Sequence, residues 1–335
     1  MKINTVAGPI GPDALGATLM HEHLVAGFLG WEVDTKVPRL SREAVIEACV
    51  ARIEELQAGG FSTLLDPCPN DLGRDPELYA EVAARTGFNI LFTTGLYHER
   101  AGSPYWRSKL AGFRDAAQYV AAMYVDELTN GVGPSRLKPA AIKLAVGADP
   151  ASAYEDKLIE AAAIASRETG APIITHTEAV AGDVLLAKLK GFGVAAHKVI
   201  IGHSCGSSDK AYHRAIVDGG AYIGFDRFGL VGLMPDEVRA DCLHALVEAG
   251  FAQQVMISHD CVFCNLGAMY SPKVAAMLET HSPMHFSRKV APMLRERGVA
   301  QAAIDSMLRD NPRRYFCEEV PQRTPAKAAA AAAAG

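Results

Sequence analysis

The stretch "TLMHEHL" at residues 18–24 places two histidines, His21 and His23, one residue apart at the end of an apolar run. In an extended strand residues i and i+2 share a face, so a single strand can offer both imidazoles to one metal. Four later segments repeat the design: "AAIKLAV" at 140–146, "PIITHTE" at 172–178, "VIIGHSC" at 199–205 and "VMISHDC" at 255–261. Each is an apolar run of strand length that closes in a residue suited to a metal site, namely Lys143, His176, His203 and Asp260.

Between these runs the chain alternates strand and helix. Residues 41–60 open on a Ser cap, show helical spacing of apolar residues and stop at glycine. "FSTLLDP" at 61–67 and "NILFTTG" at 89–95 read as strands, separated by a helix over 76–87 with Pro at its start and Gly after its end. Helices are expected over 113–130, 153–170, 181–190, 208–219 and 235–250, each followed by a strand, which makes eight strands. Parallel strands joined by helical crossovers bury both faces, and this count predicts a (β/α)8 TIM barrel, with the metal site at the C-terminal ends of the strands. A doubly wound open sheet would spread those ends along a line, and no Gly-rich phosphate loop follows the first strand. The barrel is expected over 1–318 as a single unit. A low-complexity tail rich in Pro and Ala follows over 319–335, and the long connection at 261–285 is expected to shape a substrate pocket.

Composition agrees with an enzyme acting on small molecules. The 335 residues are 49% hydrophobic and 21% charged, with a net charge of -5, and no clustered Lys/Arg stripe speaks for nucleic acid. The N-terminus lacks the apolar core of a signal peptide, and no stretch reaches the roughly 20 apolar residues of a membrane span, so a cytoplasmic protein with neither nucleic-acid nor membrane partners is expected. Seven scattered cysteines argue for reduced thiols. Cys261 and Cys264 form one CxxC without a second and are not assigned to a metal.

Imidazole and carboxylate suit borderline divalent ions, zinc first, with manganese, cobalt or iron as alternatives, and four His plus Asp exceed the needs of one tetrahedral site. Two ions fit better than one. An ammonium cannot ligate a cation, so Lys143 joins the site only when its amine is neutral and has taken up CO2 as a carbamate, N6-carboxylysine. A lone lysine at a strand end would instead snorkel to solvent. His98, His197, His213, His244, His281 and His285 are read as packing or surface residues, and His259 as pointing to the opposite face from Asp260.

The HxH of the first strand, the lysine of the fourth, the single histidines of the fifth and sixth and the aspartate of the eighth resemble the phosphotriesterase-like family of the amidohydrolase superfamily. "GPIGPDALGATLMHEHL" at 8–24, "GAYIGFDRFGL" at 220–230 and "VMISHD" resemble that family's sequence blocks. The resemblance implies a binuclear centre in which His21, His23 and Asp260 hold one metal, His176 and His203 the other, and carbamylated Lys143 and a hydroxide bridge them. It also implies a homodimer. "GFDRFG" at 224–229 and "TTGLYHE" at 93–99 look like the lactonase branch, which sets Tyr97 near the lactone and makes Arg227 a second substrate contact; the following "RAGSPYWRS" at 100–108 departs from that branch. Asp226 is expected to orient Arg227, and Asp260 to be both ligand and proton shuttle.

The expected function is therefore a metal-dependent lactonase, acting on N-acyl homoserine lactones or related γ/δ-lactones, with promiscuous phosphotriesterase and aryl esterase activity. Alternatives are hydrolysis of another ester or amide, such as a sugar lactone phosphate or an N-acyl amino compound met by Arg100, Arg107 and Arg227, or a dedicated organophosphate triesterase. A non-catalytic barrel would be marked by loss of a ligand, and all six are present.

Overall fold

The computed structural model describes residues 1–148, 152–268, 270–279 and 281–324. The alanine run of the expected tail lies outside the described residues. The eight expected strands are all present: β1 (Thr18–Leu19), β2 (Thr63–Asp66), β3 (Asn89–Leu96), β4 (Ala141–Ala145), β5 (Ile173–His176), β6 (Val199–Ile201), β7 (Tyr222–Phe225) and β8 (Val255–Ile257). Each pairs in parallel with the next, from Thr18 beside Thr63 round to Phe225 beside Ile257, giving a (β/α)8 barrel.

Burial on both faces explains why the strands read as nearly continuous apolar runs. Outward-facing Ile142, Leu144, Ile173, Val199, Ile201 and Ile223 pack under the helices in one large cluster. Inward-facing Leu65, Leu91, Ile174, Ile200, Tyr222 and Met256 fill the barrel together with Ile3 and Leu15 from the N-terminal segment and Tyr315 and Phe316 from the last helix. The interior is thus packed below the strand ends, and chemistry is confined to the upper rim. Helix ends follow sequence: Ser41 caps Arg42–Ala58 by accepting from the Ala44 N–H, and Asp75 caps Pro76–Thr86, which stops at left-handed Gly87.

Two segments differ from expectation. The helix expected over 113–130 is preceded by another, Pro104–Gly112, which Ser103 caps and Pro104 opens. The connection after β8 contains its own structure, a strand at Val262–Asn265 and a helix at Pro272–Glu279. That strand pairs with His23–Ala26 as a separate two-stranded sheet above the barrel.

The barrel closes between β8 and β1 through a mixed seam. The Met20 N–H donates to the Ile257 carbonyl at 3.4 Å, the Asp260 N–H to the His21 carbonyl at 3.0 Å and the His23 N–H to the Cys261 carbonyl at 2.9 Å. The fully buried Glu22 carboxylate completes it, accepting from the Ser258 hydroxyl (2.9 Å), the His259 N–H (2.9 Å), His259 Nδ1 (2.7 Å) and the Cys261 N–H (3.0 Å). His259 Nε2 accepts from the Phe286 N–H, so its ring proton sits on Nδ1 and is given to Glu22. Glu22→Ala would strand four buried donors, and a loss of about 3–5 kcal/mol is expected, the cost of breaking a buried paired network. Glu22→Gln, which keeps one acceptor oxygen, should lose less; urea denaturation of the two variants checks the order.

Candidate metal centre

All six expected site residues meet at one place. His21 lies at the bend that follows β1 and His23 opens the outer strand His23–Ala26, so no single strand carries both, yet the alternation survives: Glu22 points into the seam, and the two rings stand edge to face, 5.4 Å apart. Lys143 is mid-strand in β4 and His176 is the last residue of β5. His203 and Asp260 lie beyond the ends of β6 and β8, both in left-handed backbone with φ of 59° and 57°. Non-glycine residues seldom hold that conformation, and here the chain bends to turn both side chains inward. The His203 N–H is pinned by the Asp226 carboxylate, and the Asp260 N–H by the His21 carbonyl.

The distances are short. Lys143 Nζ is 3.2 Å from His21 Nε2, and His203 Nε2 is 2.9 Å from His176 Nδ1. Asp260 Oδ1 lies 3.3 Å from His23 Nε2 and 3.7 Å from His21 Nε2, and Oδ2 lies 3.8 Å from His203 Nε2. Donor atoms of His21, His203 and Asp260 all fall within 4.8 Å of one another. Lys143 reaches this cluster because β3 passes it at Gly95, where a Cβ would stand 2.0 Å from the Lys143 carbonyl oxygen.

Three rings have their outer nitrogen on a buried carboxylate. Asp226 takes His21 Nδ1 at 3.1 Å and His203 Nδ1 at 3.0 Å; Asp66 takes His23 Nδ1 at 3.1 Å and also accepts from the Leu24 and Cys68 N–H groups. Asp226 therefore does not orient Arg227, as its place in the chain had suggested. Its carboxylate faces two imidazoles, whereas the Arg227 Nε–H donates to Asp260 Oδ2 at 3.0 Å. Gly224 makes room for it, since a Cβ there would stand 2.6 Å from Asp226 Oδ2. Neither Asp66 nor Asp226 was singled out as an imidazole partner from sequence; the only signal is an Asp closing its own apolar run, "TLLD" or "YIGFD".

Charge follows from this packing. Burial pushes the His21, His176 and His203 rings below the ordinary imidazole range, so they are neutral donors. For His23 burial acts the same way, but Asp260 and Asp66 outweigh it and raise its pKa. Asp226 and Asp260 are held well below the carboxylate range: burial opposes ionisation, and the surrounding rings, with Arg227 at Asp260, overcome it. Burial brings the Lys143 amine down to about 8, against the pull of Asp260 and Asp226, so a neutral amine is accessible near neutral pH. Neutral imidazoles at His21, His176 and His203, a fourth imidazole at His23 held between two carboxylates, an ionised Asp260 and a suppressed ammonium are a donor set that fits divalent cations.

The cluster floors a cavity of about 260 Å³. Tyr97 and Arg227 line it, and much of the remaining wall is apolar, from Phe28, Leu72, Leu230, Leu233, Val274 and Leu278. Arg100 faces a neighbouring cavity with His98 and Glu178 instead. Cys261 donates to the His281 carbonyl, Cys264 is buried, and both thiols are free.

Residues 1–316 match the family model described as "Phosphotriesterase family". The chain belongs to the phosphotriesterase family. Members of the phosphotriesterase family are metal-dependent hydrolases, and so is this chain. A relative named phosphotriesterase homology protein, from Mycobacterium tuberculosis, is 31% identical over 320 residues, spanning 94% of this chain and 97% of its own. The solved organophosphorus hydrolase from Deinococcus radiodurans superposes with a TM-score of 0.89 at 35% identity, covering 94% and 97% of the two chains. A mutant from the same organism, titled a PTE-like lactonase, superposes equally well at 34% identity, covering 94% and 99%.

Because one carboxylate orients two rings, Asp226→Asn is expected to weaken metal binding about 10–100-fold, the range for lost partners of metal-ligating imidazoles. Metal content after dialysis against a graded chelator series checks it; retention equal to that of the unaltered protein would remove Asp226 from the centre.

Proposed function

We propose that this phosphotriesterase-family hydrolase is a binuclear lactonase acting on neutral lactones that carry an apolar chain, with weaker activity on organophosphate triesters and aryl esters. One observation carries the reading: Tyr97 and Arg227 line the same cavity as Asp260, and much of the rest of its wall is apolar. Apart from Lys143, Arg227 is the only lysine or arginine among the described residues lining that cavity, and it is already paired with Asp260. A phosphorylated or otherwise anionic substrate would find no unpaired arginine there. Of the other two arginines that had kept that alternative open, Arg100 lines the neighbouring cavity and Arg107 lines neither.

In this reading His21, His23 and Asp260 would hold one ion, His176 and His203 would hold the other, and Lys143, as a carbamate, would supply an anionic group to both. Zinc suits these donors best. When bound, two such ions make hydroxide available near neutral pH and draw charge from the oxygen of the group under attack. The carbamate forms when the neutral Lys143 amine adds to CO2 and loses a proton, a step favoured by the burial that brings its pKa to about 8. Asp260, ionised and held by the Arg227 Nε–H, is placed to take the proton of the attacking water. It returns that proton to the ring oxygen as the C–O bond breaks. Tyr97, packed edge-on against His176 with centroids 5.3 Å apart, presents its ring to the bound lactone.

The reading also takes the chain to be a cytoplasmic homodimer. All seven cysteines are free, and among the described residues no helix is long and apolar enough to cross a membrane. Light scattering on the purified protein tests the dimer.

Turnover of a lactone panel against paraoxon-like triesters, with two metals per chain established by elemental analysis, is the deciding experiment. Lactones should exceed triesters in kcat/KM by at least an order of magnitude, roughly 1.4 kcal/mol in transition-state terms. Tyr97→Phe and Arg227→Ala should alter lactone kinetics while both metals stay. Triesters ahead of every lactone would overturn the assignment. Asp260→Asn should lower kcat about 10²–10⁴-fold, the loss expected for a general acid–base group. Lys143→Ala should shed metal, with part of it recovered when short carboxylic acids are supplied; an unmodified amine in fully metal-loaded, active protein would refute the carbamate.

A further inference from the structure

The fourth imidazole breaks the rule the other three obey. His176 turns Nδ1 inward, 2.9 Å from His203 Nε2, and its Nε2 points away from the centre, buried and without a hydrogen-bond partner. A neutral imidazole carries one N–H, so a lone pair directed inward from Nδ1 leaves the proton on Nε2. A buried donor of that kind needs an acceptor. Glu178 Oε1 stands 3.5 Å from it, on the residue two places along in "THTE". Beside them His98 Nδ1 is also buried without a partner, its ring stacked on His176 at 26° with centroids 5.5 Å apart. Ligand atoms of His98, His176 and Glu178 all lie within 4.8 Å of one another, so two rings that each carry an orphaned nitrogen gather at one carboxylate.

We propose that Glu178 is the positioning residue of His176. Its carboxylate accepts the Nε2–H and so fixes the tautomer that leaves Nδ1 free to ligate, with His98 Nδ1–H as a second donor to the same group. A movement of about half an ångström brings the 3.5 Å contact to ordinary hydrogen-bond length, and Glu178 has the freedom for it because its side chain is half exposed. The centre would then have a carboxylate on every imidazole: Asp226 on two, Asp66 on one and Glu178 on the last. Unlike Asp66 and Asp226, Glu178 reaches solvent, and it lines the neighbouring cavity with His98 and Arg100. One wall of the metal centre is thereby open to whatever occupies that second cavity. The proposal rests on the binuclear reading above.

The test is competitive titration of metal-free protein with Zn²⁺ against a chromophoric chelator, which resolves two constants in the unaltered chain if the binuclear reading holds. Glu178→Ala should weaken one constant about 10–100-fold and leave the other within about threefold. Glu178→Gln, which keeps a carbonyl acceptor, should weaken it less. His98→Ala, which leaves the carboxylate in place, should change neither constant beyond about threefold. The cadmium-113 NMR spectrum of the Cd²⁺-loaded Glu178→Ala protein should show one of two resonances moved, while the melting temperature of the metal-free protein stays put. Unchanged constants in Glu178→Ala would overturn the proposal, as would equal loss at both sites with a lowered metal-free melting temperature. A third Zn²⁺ per chain, lost alike in Glu178→Ala and His98→Ala, would overturn it in favour of a separate cation site. Fewer than two sites in the unaltered protein would instead bring down the binuclear reading, and this assignment with it.

Discussion

The metal centre depends on the carboxylate of Glu22. The barrel has to close where its first and last strands meet, and β1 and β8 are short, with few backbone bonds between them. Glu22 supplies the missing acceptors for Ser258, His259 and Cys261. Its neighbours His21 and His23 stand on one side of that seam and Asp260 on the other, so the bonds that close the barrel also bring three candidate ligands together. A carboxylate in so dry a place is tolerated only because its lone pairs are used, four donors converging on two oxygens.

Rigidity at the rim has the same origin. Asp226 fixes two rings and the His203 backbone at once, and left-handed His203 and Asp260 carry backbone strain on the order of 1–3 kcal/mol each. Such strain persists where neighbours hold the conformation, and here Asp226 and the His21 carbonyl do so. The result is a set of donors held close together before any cation arrives, which lowers the reorganisation that binding requires.

The cavity wall is braced by a separate network. The Gly229 N–H donates to Asp236, buried Arg239 joins Asp236 to the Leu230 carbonyl, and His285 meets the other Asp236 oxygen at 2.7 Å. His281 donates from Nε2 to the Phe228 carbonyl. The segment after β7, which carries Arg227, Leu230 and Leu233, is thus tied to the helix that follows it and to the return of the long connection after β8. Histidines that looked like bystanders in the sequence hold two walls of the pocket in register.

Repetition made the barrel legible: eight apolar runs punctuated by capped helices, with ligand-type residues closing the same runs, require only local periodicity to read. For the same reason the ligand candidates could be chosen from eleven histidines, because residues at strand ends share a rim in this fold. Local pattern could not reveal pairings between residues far apart in the chain. Asp226 lies 205 residues from His21, and Glu22 lies 237 from His259. Sequence adjacency pointed the wrong way at Asp226, which turns from its neighbour Arg227 to two rings, and the two strands separated by a bend at His21 had been taken for one. The sequence by itself determined the barrel and the chemical types gathered at its mouth, because hydrophobic period and residue chemistry are local properties. Only the tertiary structure decided which nitrogen of each ring faces inward, which carboxylate holds it and which arginine meets the cavity, because those depend on atoms brought together by closure of the barrel.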